Sequence, residues 1–389
     1  FYSNFIVNFS SVVLNKLFRR RHIPSFKRRF ITIHPLWVYV GLRDRFQNLK
    51  ESVSQWTEDI SGNSPDKKIE KNLVEMESGS EIARTAAVKA LVIQAQIDEK
   101  WLNPIINSFT RVLPKQPGTT QEAIIDGLME LRKHSPSKDK EIFEALQRTF
   151  DSPHPSVRSK VVEIWTRFSL KSNAKESDTI SDLFEILSDE DKDVRYQTQE
   201  SLIKILNTVP KAALPQLKKA LSDDDWRVVY HSIVILTNFA KKHPGPSVAL
   251  APEVIKAFNS GERLKERAAD CIGILGLSNP EAMKPAVPGL IKGIESKSSE
   301  LRKASSKAIG RIGSKNAMVV YHAVPKLAKA LKNDDWYIHV EVVKALGYIG
   351  SNKPALVKPH LEIIRNRTKT GAERNICQAA EWALKKAGG

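Results

Sequence analysis

The chain has 389 residues and a formal net charge of +17, with 41% hydrophobic and 7% aromatic residues. That length exceeds one ordinary globular core and suits several domains or a repeat array. Its two cysteines, Cys271 and Cys377, lie far apart without C-x-x-C spacing, which argues against a disulfide framework or a structural zinc site and fits a reducing compartment. No stretch approaches the ~20 apolar residues of a transmembrane helix.

The basicity is concentrated at the two ends. Residues 1–50 carry ten Lys/Arg against Asp44 alone, and residues 51–276 hold 31 basic and 34 acidic residues. Residues 277–389 hold 20 basic against 9 acidic. Residues 1–43 lack any acid and include Arg19-Arg20-Arg21 and Lys27-Arg28-Arg29. Three readings of this leader stand open: an organellar transit peptide, a segment lying on an anionic membrane surface, or a stretch outside the fold with no selected structure. Residues 1–50 are therefore expected to be poorly ordered or separate from the fold. Residues 51–70, with the breaker cluster Ser61-Gly62-Asn63-Ser64-Pro65-Asp66, read as a polar linker.

From residue 70 to 389 one phrase recurs: an acidic or polar turn, an aliphatic residue often followed by Arg, then apolar residues at fixed offsets. Its anchor positions are Ala83, Thr120, Val157, Val194, Val228, Leu264, Leu301, Ile338 and Ile376, spaced by 34 to 38 residues. Eight residues on stand Leu91, Leu128, Trp165, Leu202, Leu236, Ile272, Ile309, Leu346 and Leu384. Four residues on, every residue is small or β-branched, from Ala87 to Ala380. Offsets 0, 4, 7 and 8 draw the apolar stripe of an amphipathic helix. An apolar residue seven before the anchor closes a preceding helix, and turn Ser, Asn and Asp side chains cap the second one. Pro104, Pro215, Pro252, Pro288, Pro325 and Pro359 mark the start of first helices, where proline forfeits no hydrogen bond. Single hairpins of this size cannot bury their apolar faces alone, so they must stack.

The phrase L-x-D-x-D-x-x-V-R-x-x-A-x-x-A-L, matched by Leu187 to Leu202 and more loosely elsewhere, resembles the HEAT repeat. The resemblance implies an all-α fold, a right-handed α-α superhelix of about nine two-helix repeats over residues 70–389. It also implies that the Arg after the anchor pairs with turn acids of the stack. Arg84, Arg158, Arg195 and Arg302 keep it and Lys265 approximates it, whereas Gln121, Val229, His339 and Cys377 depart from it, which questions a continuous Asp–Arg ladder.

Candidate binding residues lie mostly in the carboxyl-terminal third. Lys303, Lys307 and Arg311 are spaced by four and share a helix face; with Arg302, Lys344, Lys385 and Lys386 they predict rows of cations on successive second helices. Such rows suit an acidic protein tail or phosphates, or else are a solvated charged face. No aromatic residue is interleaved within them in sequence, which weakens a single-strand-binding reading. Trp226 and Trp336 share one repeat offset, either packed on the adjacent hairpin or exposed as anchors for a partner.

Signs of chemistry are absent from the sequence. None of the nine histidines is followed by Glu, unlike the di-iron proteins that resemble deoxyhypusine hydroxylase, and no P-loop, G-x-G-x-x-G or H-E-x-x-H motif occurs. Gly310, Gly313, Gly347 and Gly350 read as packing and C-cap glycines, and both cysteines as small core residues. The expectation is a non-enzymatic, cofactor-free protein-interaction scaffold with a protein partner and no small-molecule substrate. Nucleic-acid binding through the basic carboxyl-terminal repeats is the alternative, and membrane contact involves residues 1–43 alone. A HEAT-like enzyme or a chaperone similar to bilin lyases is disfavoured, because no residue set marks a tetrapyrrole pocket. The expected location is cytoplasmic, or organellar if residues 1–43 are a transit peptide.

Overall fold

The computed structural model describes residues 65–171, 177–332, 336–368 and 374–388, the side chains of 65, 171, 177–179, 211 and 336 excepted. The expected leader, residues 1–50, and most of the expected linker lie outside the described residues. The chain divides into residues 1–68 and 69–389.

Eighteen helices, among the described residues and leaving single turns and 3-10 segments unnumbered, alternate between two roles. First helices are α1 (Pro65–Ser78), α3 (Leu102–Val112), α5 (Asp139–Gln147), α7 (Ser177–Glu185), α9 (Pro210–Leu221), α11 (Ala251–Ser260), α13 (Val287–Ile294), α15 (Val324–Ala330) and α17 (Leu361–Arg365). Second helices are α2 (Glu81–Ile97), α4 (Gly118–Leu131), α6 (Pro155–Lys171), α8 (Lys192–Leu206), α10 (Trp226–Lys242), α12 (Glu262–Leu275), α14 (Ser299–Lys315), α16 (Trp336–Asn352) and α18 (Arg374–Ala387). Each second helix packs on the second helices before and after it, and first helices such as α7, α9 and α11 pack in series beside them. The result is a two-layered stack, an α-α superhelix.

The repeat offsets explain this layering. Eight of the nine anchors are buried, from Thr120 to Ile376, while Ala83 of the first pair is half-buried. All nine residues at offset four are buried, and so are those at offset eight except the half-buried Leu384. Nearly all the buried apolar side chains form one connected cluster from Ile69 to Ala387. Stacking hairpins thus achieves what a closed core does elsewhere.

Caps set the starts of several second helices. Ser80 accepts from the Ala83 N–H, Asp191 from Asp193 and Val194, Asp225 from Arg227 and Ser298 from Leu301. Each such cap is worth about 1 kcal/mol. The backbone N–H groups of Val194 and Asp193 hold the Asp191 carboxyl below its usual range, and the Arg227 guanidinium does the same for Asp225.

Three expectations need correcting. Helix α1 opens at Pro65, inside the stretch read as linker, and Ile69 is already buried. Pro215 lies within α9, which begins at Pro210. The corresponding stretches before α13 and α15 are 3-10 turns, Glu281–Ala286 and Ala317–Ala323, with proline at the junction; in α9 that stretch is α-helical, so the proline falls inside. Gly310, Gly313, Gly347 and Gly350 are not C-caps, because α14 and α16 continue to Lys315 and Asn352. Their packing role is real: a Cβ on Gly310 would lie 2.7 Å from the Cα of Ala345, and one on Gly350 would lie 2.7 Å from the Cβ of Ala387. No helix among the described residues is long and apolar enough to cross a membrane.

Candidate functional site

Of the arginines after the anchors, Arg158 pairs with a turn acid of the stack, as the repeat pattern implied. Arg158 is 5% exposed, and its Nε and Nη2 donate to the two Asp189 carboxylate oxygens at 2.7 and 2.8 Å. Its Nη1 donates to the Ser152 carbonyl at 2.6 Å. This rung joins a residue to the turn 31 positions later. At the equivalent place Gln121 accepts from Ser152 Oγ at 2.7 Å, again 31 apart, as a neutral version of the rung. Arg195 instead donates to the carbonyls of Asp189 and Glu190 in its own turn, and Arg302 to those of Ser296 and Lys297. Arg302 thus braces a turn, although sequence reasoning grouped it with the cation rows.

Those rows are divided. Lys303 points toward the following repeat, its Nζ 4.5 Å from the Tyr337 ring centroid and 3.4 Å from the Tyr337 hydroxyl. Lys307 and Arg311 lie toward the preceding repeat, 3.9 and 3.7 Å from the Asp270 carboxylate. Lys344 stands 3.7 Å from Glu341, while Lys385 and Lys386 are exposed in the last turn of α18. Spacing by four therefore does not make one continuous basic row, since a stacked helix has a neighbour on each flank.

What the structure assembles instead is a groove of about 560 Å³ across α14, α16 and α18. Lys303 comes from α14; Tyr337, Val340, Glu341, Lys344 and Tyr348 come from α16; Asn375, Gln378, Ala379 and Trp382 come from α18. Tyr348 and Trp382 meet edge to face, with centroids 5.0 Å apart. Glycine at 347 makes this approach feasible, because any Cβ there would collide with the Trp382 ring. Aromatic rings thus do enter the basic surface, contrary to the sequence expectation, because they arrive from neighbouring helices. Tyr337, Tyr348 and Trp382 were missed as site residues. The signal that could have found them is register: Lys303 and Gln378 stand at offset 2, Lys344 and Trp382 at offset 6, and Tyr348 at offset 10 from their anchors.

Trp226 is 43% exposed, and Arg263 of the next repeat lies over its ring at 4.8 Å. Neighbour packing and exposure hold at once. The Trp336 side chain lies outside the described residues. Burial pushes the Cys271 thiol up to about 12, so it is an inert core group. Burial, with Arg195 nearby, drives His231 down to about 4, and its Nδ1 lies 2.9 Å from Gln199 Oε1. Among the described residues no three His, Cys, Asp or Glu side chains are placed to hold a metal ion.

The family model for HEAT repeats matches residues 142–236 and 287–385, about half of the chain. No curated protein matches the sequence. Among solved structures, Kap121p bound to Nup53p aligns with a TM-score of 0.60 at 13% identity, over 93% of this chain and 42% of that one. Kap121p bound to Ste12p aligns at 0.58 and 14% identity, over 82% and 37%. A designed armadillo repeat protein in complex with the peptide (KR)4 aligns at 0.45 and 19% identity, over 54% and 99%. This chain spans less than half the length of Kap121p, a karyopherin, and at such identity the likeness is one of fold. With the repeat offsets buried as a continuous stack and the family model matched twice, the chain belongs to the HEAT-repeat family of α-solenoids.

Proposed function

We propose that this protein is a non-catalytic scaffold that holds a protein partner along the faces of its second helices. The observation that carries the reading is the groove across α14, α16 and α18, where Lys303, Lys344, Tyr348 and Trp382 converge at a surface rather than in an enclosed cavity. Lysine stems and aromatic rings offer apolar area with a polar edge, the character of protein-binding surfaces. The chemistry supports the same reading: the Cys271 thiol is buried and protonated, and His231 is neutral and turned to a glutamine. The HEAT fold is also one whose relatives in solved structures appear with protein partners, Kap121p with Ste12p and Nup53p.

The nucleic-acid alternative is weaker, because Asp270 offsets Lys307 and Arg311. Affinity capture of the full chain from native extract, in parallel with and without nuclease, tests the reading. The expected result is one or more proteins retained in both samples. Retention lost on nuclease treatment, or turnover of a small molecule with no protein retained, would overturn it.

A further inference from the structure

We propose that the groove across α14, α16 and α18 takes a short, extended, acidic segment of the partner, with one apolar or aromatic side chain set against Tyr348 and Trp382. The inference rests on the scaffold reading and adds the chemistry of the occupant.

Length comes first. Tyr337 and Tyr348 stand at opposite ends of the α16 wall, and eleven residues of helix span about 16 Å. An extended chain covers that distance in about five residues. Charge comes second. The groove holds two ammonium groups, Lys303 and Lys344, against one carboxylate, Glu341. The Lys344–Glu341 separation of 3.7 Å is long for a hydrogen bond, so Lys344 can donate and Glu341 can accept elsewhere. Residues 277–389 as a whole carry 20 basic against 9 acidic residues, so the surrounding field attracts anionic segments. This chain's own leader, with ten basic residues and one acid over residues 1–50, has the wrong sign to fill the groove.

Hydrogen bonding separates peptide from nucleic acid. Glu341 accepts only, and the Gln378 amide both donates and accepts. An extended peptide offers backbone N–H groups to the first and both backbone groups to the second. A phosphodiester backbone offers no donor to Glu341. The rings favour a side chain over a base as well, since Tyr348 and Trp382 are 70° apart rather than parallel, leaving an edge and a face for an apolar group.

The experiment is fluorescence polarisation on the full chain with synthetic peptides of about five to seven residues. One alternates Asp and Glu around a central Phe, a second replaces Phe with Gly, and a third replaces the acids with Lys. The first should bind best. Lys303→Glu with Lys344→Glu should weaken it by about tenfold or more, and Lys303→Met with Lys344→Met, which keeps the stems, by a smaller factor. Lys385→Glu with Lys386→Glu, outside the groove, should change it by less than about threefold. Circular dichroism checks that each variant keeps its helices. Equal binding of all three peptides, indifference to both Lys303/Lys344 variants, or tighter binding of an oligonucleotide of matched charge overturns the inference. If the peptides fail while the native protein still retains protein partners after nuclease, the occupant is wrong and the scaffold survives. If no protein is retained either, both fall.

Discussion

Between α6 and α8 the stack is tied by a buried ion pair, whereas between α14 and α16 it is tied by a glycine that lets two backbones touch. At offset nine the earlier repeats carry Val92, Met129, Thr166, Ile203 and Thr237, and the later ones Gly273, Gly310 and Gly347, with Lys385 in the last repeat. A Cβ on Gly273 would lie 2.8 Å from the Cα of Ala308, much as one on Gly310 would approach Ala345. In the earlier region side chains span the gap: Lys160 reaches Asp126 at 2.6 Å and Arg158 holds Asp189. Close backbones in the later region bring the outward rows of adjacent helices within reach of one another. Tyr348 and Trp382 consequently meet and a groove forms. The same repeat thus gives a buried ion-pair rung in one half and closely approaching backbones with a ring-lined surface in the other.

The largest expected effect breaks the ion pair. Arg158→Met leaves the Asp189 carboxylate buried without its guanidinium and should cost about 3–5 kcal/mol. Asp189→Asn in the same chain should recover part of that loss, as a double-mutant cycle on chemical denaturation would show. Because repeat arrays open locally, hydrogen exchange across α6 and α8 is the sharper readout. Full stability in Arg158→Met would mean that the rung is ornamental and the comparison wrong.

Next comes the glycine contact. Gly310→Ala places a Cβ against the Ala345 backbone, which cannot swing aside, and should cost about 1–3 kcal/mol. The control is Gly245→Ala, where no atom lies within 4 Å of the new Cβ and the change should stay within about 0.5 kcal/mol. Similar melting shifts for the two variants would remove the distinction between the halves.

The smallest effect is that of pH. His231 titrates near 4 in the folded chain because burial disfavours its charge, against an ordinary value of 6.5. In the unfolded chain it takes up a proton as pH falls through 6.5, while the folded chain resists. Stability should therefore decline modestly between pH 6.5 and about 4, since solvent reaching the half-buried ring screens its charge, and level off below. The Asp191 and Asp225 carboxyls, held below their ordinary 3.8, withdraw their contributions at still lower pH. His231→Gln should flatten the upper window and leave the acid limb intact. A profile unchanged by that substitution would refute the half-buried, neutral histidine. Because α8 and α10 carry these groups, their amides should exchange first on acidification, ahead of those in α14 and α16.

The fold was legible from the sequence because a solenoid core is local: each apolar offset is buried by residues about one repeat away, so period and polarity suffice. The site was less legible. Lys303, Lys344, Lys385 and Lys386 were singled out by charge, and two of them enter the groove. Arg302 was drawn in by charge but is occupied by its own turn. Tyr337, Tyr348 and Trp382 gave no signal along a single helix, since their meaning lies in the rows formed by successive helices. The misplaced α9 proline and the misread glycines share one cause: local rules describe helix ends, and these helices start earlier or run on further than those rules place them.

By itself the sequence determined the helical hairpin, its period, its caps and the burial of its anchors, because those depend on contacts within one repeat and with the next. Only the tertiary stack decided how near successive second helices come, which cations are offset by Asp270 and Glu341, and which rings converge on Lys303 and Lys344. The physical reason is that surface chemistry depends on the distance between outward rows, and that distance is set by the small residues wedged between the helices.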